Sequence, residues 1–193
     1  MKNKVFFIAE ISANHCGNFQ LAKKLIKCAK INGADAVKLQ TYTADTMTLK
    51  SDKKYFKIKQ GLWKGYNLWN LYDKARTPLE WHKKLFQYGK SLGIEVFSTP
   101  FDNTAVDLLE DLNAPAYKIA SMDIVNLPLI SAVASVGKPI IMSTGMATLG
   151  EIDEAVRAVS ETGNPDLILL HCVSSYPCAA ADANLRAINM LRT

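Results

Sequence analysis

The stretch DAVKLQTY at residues 35–42 carries the pattern that decides the fold. Val37 and Leu39 are typical of a buried β-strand, but Lys38 stands between them. Because burying an unpaired ammonium group is costly, Lys38 is expected to face a polar partner. Side chains two residues apart on a strand share a face, so Lys38 and Gln40 point together, away from Val37 and Leu39. The stretch therefore predicts a strand with one apolar and one functional face.

Further strands of this kind alternate with amphipathic helical patterns along the chain. We predict strands at 5–12, 36–42, 95–101, 116–121, 139–145 and 166–175. We predict helices at 18–34, 78–94, 103–111, 127–137 and 149–163, with another beginning in 181–193. Strands that are apolar on both faces are typical of a parallel sheet covered by helices. Repeated βα units predict an α/β fold, either a doubly wound sheet or a (β/α)8 barrel.

Polar residues at the strand ends favour the barrel. They gather where barrel active sites are built, and they are Glu10, Ser12, Gln40, Ser98, Thr99, Ser121, Ser143, Thr144, Ser174 and Ser175. No G-x-G-x-x-G turn follows the first strand, so a dinucleotide-binding fold loses support. A complete barrel takes about 250 residues, whereas this chain has 193. We expect one partial (β/α)8 TIM-barrel domain over residues 1–193, with about six βα units, truncated before its last strands.

The composition is that of an ordinary soluble globular protein, with 49% hydrophobic and 21% charged residues. The net charge of +5 favours a small anionic ligand, and no nucleic-acid-binding motif is present. No segment approaches the roughly 18 apolar residues of a membrane span. Four cysteines without a C-x-x-C pair predict reduced thiols in a cytoplasm.

One connection, residues 43–77, is far longer than the usual βα loop of about 2–6 residues. Its aromatic residues are Tyr55, Phe56, Trp63, Tyr66, Trp69 and Tyr72. These residues predict either a small satellite core or a lid over the catalytic face, where βα loops emerge. The pattern leaves both interpretations open.

Lys118 repeats the pattern of Lys38 in the stretch APAYKIAS at 114–121. Two inward lysines, strand-end hydroxyls and the Glu10 carboxylate predict a polar cavity for a small polyanion. A carboxylate or phosphate would pair with the ammonium groups through charge-assisted hydrogen bonds. Two alternatives stay open: a buried ion pair with an acid such as Glu10, and a Schiff-base lysine of the kind that aldolases use.

Six motifs, in this order and spacing, carry a family resemblance. They are FIAEISANHCGN (7–18), AVKLQTY (36–42), FSTPFD (97–102), AYKIAS (116–121), GKPIIMSTGMAT (137–148) and LLHCVSSYP (169–177). Together they resemble the NeuB family of nonulosonic acid synthases, which includes sialic, legionaminic and pseudaminic acid synthases and spore-coat polysaccharide relatives. The resemblance covers nearly the whole chain. The segment LYDKARTPLEWH (71–82) is more similar to the pseudaminic and spore-coat branch than to the sialic acid synthases.

The resemblance implies a barrel that condenses phosphoenolpyruvate with an N-acetylated amino sugar aldehyde and releases phosphate by C–O cleavage. It implies a divalent metal, Mn²⁺ or Mg²⁺, that polarises the aldehyde. The family's metal-binding histidines come from strands that would follow Thr193, so no metal ligand is expected in this chain. The family's C-terminal antifreeze-like domain, which caps the partner's site in a homodimer, is also absent from these residues. The isolated chain could then be an inactive fragment that only binds phosphate or phosphoenolpyruvate.

The resemblance also implies a role for individual residues. Catalytic roles fall on Glu10, Lys38 and Lys118, with Glu10 as the acid-base or sugar-orienting carboxylate. Ligands of phosphoenolpyruvate are Lys38, Thr99, Lys118, Ser121, Ser143 and Ser174, and substrate contacts are Asn14, His15, Gln40, Asp123 and Tyr176. Two positions depart from sialic acid synthases: Ser174 stands in a segment where many carry Asn, and Asp123 stands where they carry Glu. Of the other histidines, His82 is expected at the surface and His171 in the core.

Overall fold

A computed structural model describes residues 5–61, 63–175 and 177–192. Its strands are β1 (Ile8–Glu10), β2 (Ala36–Thr41), β3 (Glu95–Pro100), β4 (Tyr117–Ile119), β5 (Ile140–Ser143) and β6 (Leu167–Leu170). Its helices are α1 (Phe19–Ile31), α2 (Ala44–Met47), α3 (Leu68–Ala75), α4 (Leu79–Leu92), α5 (Asn103–Asp111), α6 (Leu127–Ser135), α7 (Leu149–Glu161) and α8 (Ala187–Met190). The chain divides into two compact units, Met1–Ala105 and Val106–Thr193. No helix in the described ranges is long and apolar enough to cross a membrane.

The first unit contains the parallel strands β1, β2 and β3. The register places Glu10 beside Lys38 and Gln40 beside Thr99. Val37 and Leu39 are completely buried, in a core that also contains Ile26 of α1 and Leu85 of α4. The two apolar side chains of β2 therefore face the helices, which turns Lys38 and Gln40 to the other face, as the period of two predicts.

The second unit contains the parallel strands β4, β5 and β6, with α6 packed against α7. Tyr117, Ile119, Ile140 and Met142 are completely buried. Lys118 stands between two of these residues, and only 8% of it is exposed. Its burial in a strand is therefore as deep as the sequence indicates.

Local signals explain most of the helix limits. Helix α1 begins where the Asn18 side chain accepts a hydrogen bond from the Leu21 N–H, at 3.0 Å. Helix α7 begins with a capping box between Thr148 and Glu151. Helix α4 ends at Gly93, whose φ of +67° is left-handed. The helix predicted to begin in 181–193 is present as the short α8, after a 3₁₀ turn at Ala180–Asp182.

Close packing of α4 on β3 makes a testable prediction at Gly89. A Cβ atom there would lie 2.2 Å from Val96 Cγ2 and 3.1 Å from the Ile94 carbonyl oxygen. Gly89→Ala is therefore expected to destabilise the protein by about 1–3 kcal/mol through overpacking, despite the better helix propensity of alanine. Gly150→Ala is the control, because its nearest neighbour is Thr148 Oγ1 at 4.0 Å. Urea unfolding measures both, and equal stability of the two variants would contradict the packing described.

Candidate functional site

The first cluster of polar side chains lies at the carboxyl ends of β1, β2 and β3. The Lys38 ammonium group forms an ion pair with the Glu10 carboxylate. It also donates a hydrogen bond to Thr99 Oγ1, at 3.2 Å. The Lys38 side chain is 15% exposed and that of Glu10 is 41% exposed. Lys38 thus has the acidic partner that was one of the predicted alternatives, and this partner is open to solvent.

Ser12 orders the same cluster from the turn after β1. Its φ of +45° lies in the left-handed region, which is uncommon for serine. In this conformation its backbone N–H donates to Glu10 Oε1 at 2.8 Å, and its hydroxyl donates to Gln40 Oε1 at 3.2 Å. The turn therefore fixes the orientation of both the carboxylate and the amide.

The second cluster centres on Lys118 of β4 and Ser143 of β5. Lys118 Nζ donates to Ser143 Oγ at 2.6 Å and to the Ile119 carbonyl oxygen at 2.5 Å. The Cys172 thiol donates to Ser143 Oγ at 3.3 Å. Lys118 and Ser143 are both buried, at 8% and 7% exposure. With two donors aimed at its oxygen, the Ser143 hydroxyl keeps its own proton for donation to a ligand.

Gly145 lets the chain close around this second cluster. Its N–H donates to Ser121 Oγ at 3.2 Å. A Cβ atom at this position would lie 2.8 Å from the Cys172 carbonyl oxygen and 2.9 Å from Ser174 Oγ. A side chain at position 145 would therefore clash with the Cys172 backbone. With glycine there, Ser121 Oγ and Ser174 Oγ both lie next to residue 145. The sequence interpretation missed Gly145 and Cys172, although a glycine directly after a strand is a signal of close backbone approach.

Asp123 provides the second unit with a carboxyl group whose pKa is raised. Its Oδ2 atom is buried and accepts no hydrogen bond. Burial raises the pKa of Asp123 to about 6, and the opposing effect of the Lys118 charge is smaller. Because this pKa is higher in the folded state, the group favours folding at low pH, and that contribution is lost as the pH rises through about 6. Asp123 can therefore hold a proton close to neutral pH.

The three histidines differ from one another in their surroundings. His15 is completely buried: its Nδ1 accepts from the Gly17 N–H at 3.1 Å and its Nε2 donates to Thr77 Oγ1 at 3.1 Å. Burial lowers the pKa of His15, and its role as a substrate contact stays a prediction from the resemblance. The predicted surface position of His82 is wrong, because its side chain is completely buried. His171 is only half-buried, and its Nε2 donates to the Ala183 carbonyl oxygen at 2.9 Å.

Not every strand-end polar residue joins a cluster. Ser98 bonds to Thr41 at 2.6 Å, Thr144 Oγ1 donates to the Leu170 carbonyl oxygen at 3.0 Å, and the exposed Ser175 donates to the Pro177 carbonyl oxygen at 3.1 Å. Asn14 is exposed in the turn that follows β1. Tyr176 lies outside the described residues.

The connection at 43–77 contacts the residues that follow β2 and β3. The Tyr42 ring contacts Tyr72 and Phe101, with ring centroids 6.0 Å and 5.4 Å apart. The connection carries eight lysine or arginine residues and three aspartates, so it accounts for the whole net charge of +5. Some of its lysines lie over aromatic rings, such as Lys50 at 4.1 Å from Trp69. The connection thus packs on the ends of β2 and β3 through Tyr72, while its basic surface and the rings of Tyr55, Trp63 and Tyr66 are exposed.

A metal site is not found in the part of the chain that the structure describes. No group of three or more histidine, cysteine, aspartate or glutamate side chains there could hold a metal ion. The Glu10 carboxylate is engaged with Lys38. The described residues therefore do not fit the family's Mn²⁺ or Mg²⁺, and no chemical step below passes through a metal.

Parallel βα units with lysine–hydroxyl clusters at the strand ends define an α/β protein with sites suited to small anions. The chain belongs to the NeuB family, whose profile matches residues 25–193. It is 47% identical over 189 residues to the pseudaminic acid synthase of Campylobacter jejuni, covering 98% of this chain and 55% of that protein. It is 39% identical over 192 residues to the N,N'-diacetyllegionaminic acid synthase of the same species, covering 98% of this chain and 57% of that protein.

A solved structure supports the same relationship. The N-acetylneuraminic acid (sialic acid) synthetase of Leptospira borgpetersenii superposes with a TM-score of 0.85 at 35% identity, over 98% of this chain and 61% of that one. The present chain spans about half the length of the relatives it matches.

Proposed function

We propose that the protein makes a nonulosonic acid by condensing phosphoenolpyruvate with an N-acetylated amino sugar in its open-chain aldehyde form. The observation that carries this proposal is the buried Lys118–Ser143 pair, 2.6 Å apart, in a chain of the NeuB family. A buried ammonium group beside a strand-end hydroxyl suits a carboxylate or phosphate, which strengthens the hydrogen bonds by its charge. The sialic acid synthetase relative was solved in complex with citrate, a polyanion.

The roles proposed for individual residues are those that the family resemblance implies, and the chemistry of each side chain is compatible with its role. In the proposal, the anionic groups of phosphoenolpyruvate are bound by Lys38, Thr99, Lys118, Ser121, Ser143 and Ser174. Gln40, Asn14 and Asp123 contact the sugar, and His15 and Tyr176 keep that role as a prediction from the resemblance. Glu10, exposed beside Lys38, is the group that takes and returns a proton. The basic surface of 43–77 raises the local concentration of the anionic substrate.

The reaction proposed keeps its atoms in balance. Carbon 3 of phosphoenolpyruvate attacks the aldehyde carbon and forms the new C–C bond, while the aldehyde oxygen takes up a proton. Water adds to carbon 2, and Glu10 accepts one of its protons and passes it to the former aldehyde oxygen. The second proton leaves with inorganic phosphate as the C–O bond breaks and carbon 2 becomes a carbonyl carbon. A requirement for Mn²⁺ or Mg²⁺ stays a prediction from the family resemblance.

Two further parts of the proposal concern the fold and the sugar. We propose that the six βα units form part of a (β/α)8 barrel, an architecture that the solved relative's superposition over 98% of this chain supports. We propose the sugar of pseudaminic acid synthesis, since identity is 47% to the pseudaminic and 39% to the legionaminic enzyme of one species. A homodimeric whole protein in the cytoplasm stays a prediction.

Phosphate release tests the proposed function. We expect that the chain, incubated with phosphoenolpyruvate, Mn²⁺ and a panel of N-acetylated sugars, releases phosphate only when the correct sugar is present. Binding of phosphoenolpyruvate by calorimetry without release in any mixture would favour the alternative, a chain that binds but does not react. Absence of both would overturn the proposal. A pyruvate adduct on Lys38 or Lys118 after borohydride treatment would instead establish Schiff-base chemistry.

A further inference from the structure

A buried network of three polar side chains lies on the helix-facing side of β2 and β3, behind the first cluster. Thr41, Ser98 and His82 are each completely buried. Thr41 Oγ1 lies 2.9 Å from His82 Nε2 and 2.6 Å from Ser98 Oγ. His82 Nδ1 lies 3.2 Å from the Pro78 carbonyl oxygen. Polar groups this deep in a core are retained at a cost unless all of them are hydrogen-bonded, as these are.

The chemistry of the groups fixes the direction of each hydrogen bond. The Pro78 carbonyl oxygen can only accept, so His82 Nδ1 carries the proton and donates it. Nε2 of the neutral ring then accepts from the Thr41 hydroxyl, which in turn accepts from Ser98. Burial lowers the pKa of His82 and keeps the ring neutral. The network therefore has one consistent orientation at neutral pH.

The partners of His82 stand at the two ends of the 43–77 connection. Thr41 is the last residue of β2, just before the connection begins. Pro78 follows its last residue, Thr77. Thr77 is itself buried and held by His15. The His82 ring thus joins the end of β2, where the connection of net charge +5 begins, to Pro78, where it ends.

The same network fixes the positions of two neighbouring residues of the candidate site, Gln40 and Thr99. Gln40 directly precedes Thr41 in β2, and Thr99 directly follows Ser98 in β3. Gln40 and Thr99 lie opposite each other in the register of the two strands. Because successive side chains alternate across a strand, a shift of Thr41 or Ser98 on one face moves Gln40 and Thr99 on the other. Thr99 in turn accepts the hydrogen bond from Lys38.

We propose that His82 is a positioning residue: by joining Thr41 to Pro78 it holds the 43–77 connection in place and sets Gln40 and Thr99 for substrate binding. This role rests on the proposed function, in which Thr99 and Gln40 contact phosphoenolpyruvate and the sugar. No contact between His82 and substrate is part of it. Small displacements of binding groups have large effects on affinity, so an effect of about tenfold is expected.

Calorimetry with phosphoenolpyruvate and hydrogen exchange of the chain test this role together. His82→Leu and Thr41→Val are expected to weaken phosphoenolpyruvate binding about tenfold and to speed exchange in 43–77 and at the end of β3. His82→Gln keeps an amide for one partner and is expected to recover part of the affinity. Leu85→Ala is the matched control on the same helix, completely buried but outside the network. It is expected to lower the melting temperature and to leave the affinity unchanged within about twofold.

The outcomes separate the two proposals. If the unaltered chain binds phosphoenolpyruvate and His82→Leu and Thr41→Val bind it equally well, the positioning role is overturned and the proposed function stands. If Leu85→Ala weakens binding as much as they do, the effect is general destabilisation, which also overturns the role. If the unaltered chain does not bind phosphoenolpyruvate, the proposed function is overturned, whatever the exchange rates in 43–77. Thr41→Val keeps the test decisive should His82→Leu fail to fold.

Discussion

Replacing Lys118 with alanine is expected to weaken phosphoenolpyruvate binding by about a hundredfold while sugar binding changes by less than about threefold. Removing one partner of a buried, hydrogen-bonded charge pair costs about 2–5 kcal/mol, and each 1.4 kcal/mol is about tenfold in affinity. Lys118 is 8% exposed and donates to Ser143, so water cannot readily replace its ammonium group. Calorimetry with each substrate measures both affinities. Equal losses for the two substrates would contradict the assignment of Lys118 to the anion.

Two control variants show whether the Lys118 effect is one of charge. Lys118→Met keeps the apolar stem of the side chain and is expected to lose as much affinity as the alanine variant. Asp123→Asn is expected to act in the opposite direction, because it removes the carboxylate that the Lys118 charge acts on. Since the pKa of Asp123 is about 6, Asp123→Asn should raise the affinity at pH 8, where Asp123 is ionised. At pH 5, where Asp123 is protonated, the variant and the unaltered chain should bind equally. A gain that persists at pH 5 would contradict the electrostatic explanation.

Outside the 43–77 connection, where α2 and α3 were not predicted, most of the secondary structure followed from the sequence because its periodicity is regular. Alternation of apolar residues in β2 was enough to place Lys38 and Gln40 on one face, and the structure has them there. Helix α5 begins and ends where the pattern predicts, at Asn103 and Asp111. Both follow from local rules, in which each element buries one face against its neighbours.

Contacts between elements that are far apart in sequence could not be predicted in the same way. His82 shares a helix face with Leu85 and Gly89, which are both buried. The buried ring of that histidine is paired with the Thr41 hydroxyl of β2, which is 41 residues away in the chain, and no local pattern reveals this contact. The helix predicted to begin in 181–193 is present, but its limits, Ala187–Met190, did not follow from the local pattern.

The charge of the 43–77 connection was readable but was overlooked. The sequence interpretation used only the total charge of +5, whereas counting charges by connection places the whole net charge in one segment. Gly145 was missed for a different reason, since a need for glycine there depends on how close Cys172 comes in the folded chain. The charge of a segment can be counted from the sequence, whereas the distance between two segments is known only from the folded structure.

Substitutions in the Glu10–Lys38 pair are expected to change phosphoenolpyruvate affinity in opposite directions. Lys38→Met should weaken binding about tenfold to a hundredfold, because hydrogen bonds to a charged group contribute about 1.5–3 kcal/mol. Glu10→Gln should instead strengthen binding about two- to fivefold, since it releases Lys38 from a competing carboxylate. The gain is small because Glu10 is 41% exposed and solvent-exposed pairs are worth about 0.2–1 kcal/mol.

The opposite signs distinguish a binding role from a structural one. If the ion pair served only to hold β1 against β2, both variants would weaken binding and both would lower the melting temperature. If Lys38 binds the anion, Glu10→Gln should bind better while phosphate release falls about 10²–10⁴-fold, because the proton-transferring carboxylate is gone. The gain in affinity should also shrink as sodium chloride rises to 1 M, where exposed charges are screened within about 3 Å. Calorimetry at low and high salt, with melting temperatures of both variants, measures each of these differences, and a Glu10→Gln variant that binds more weakly would contradict the assignment of Lys38.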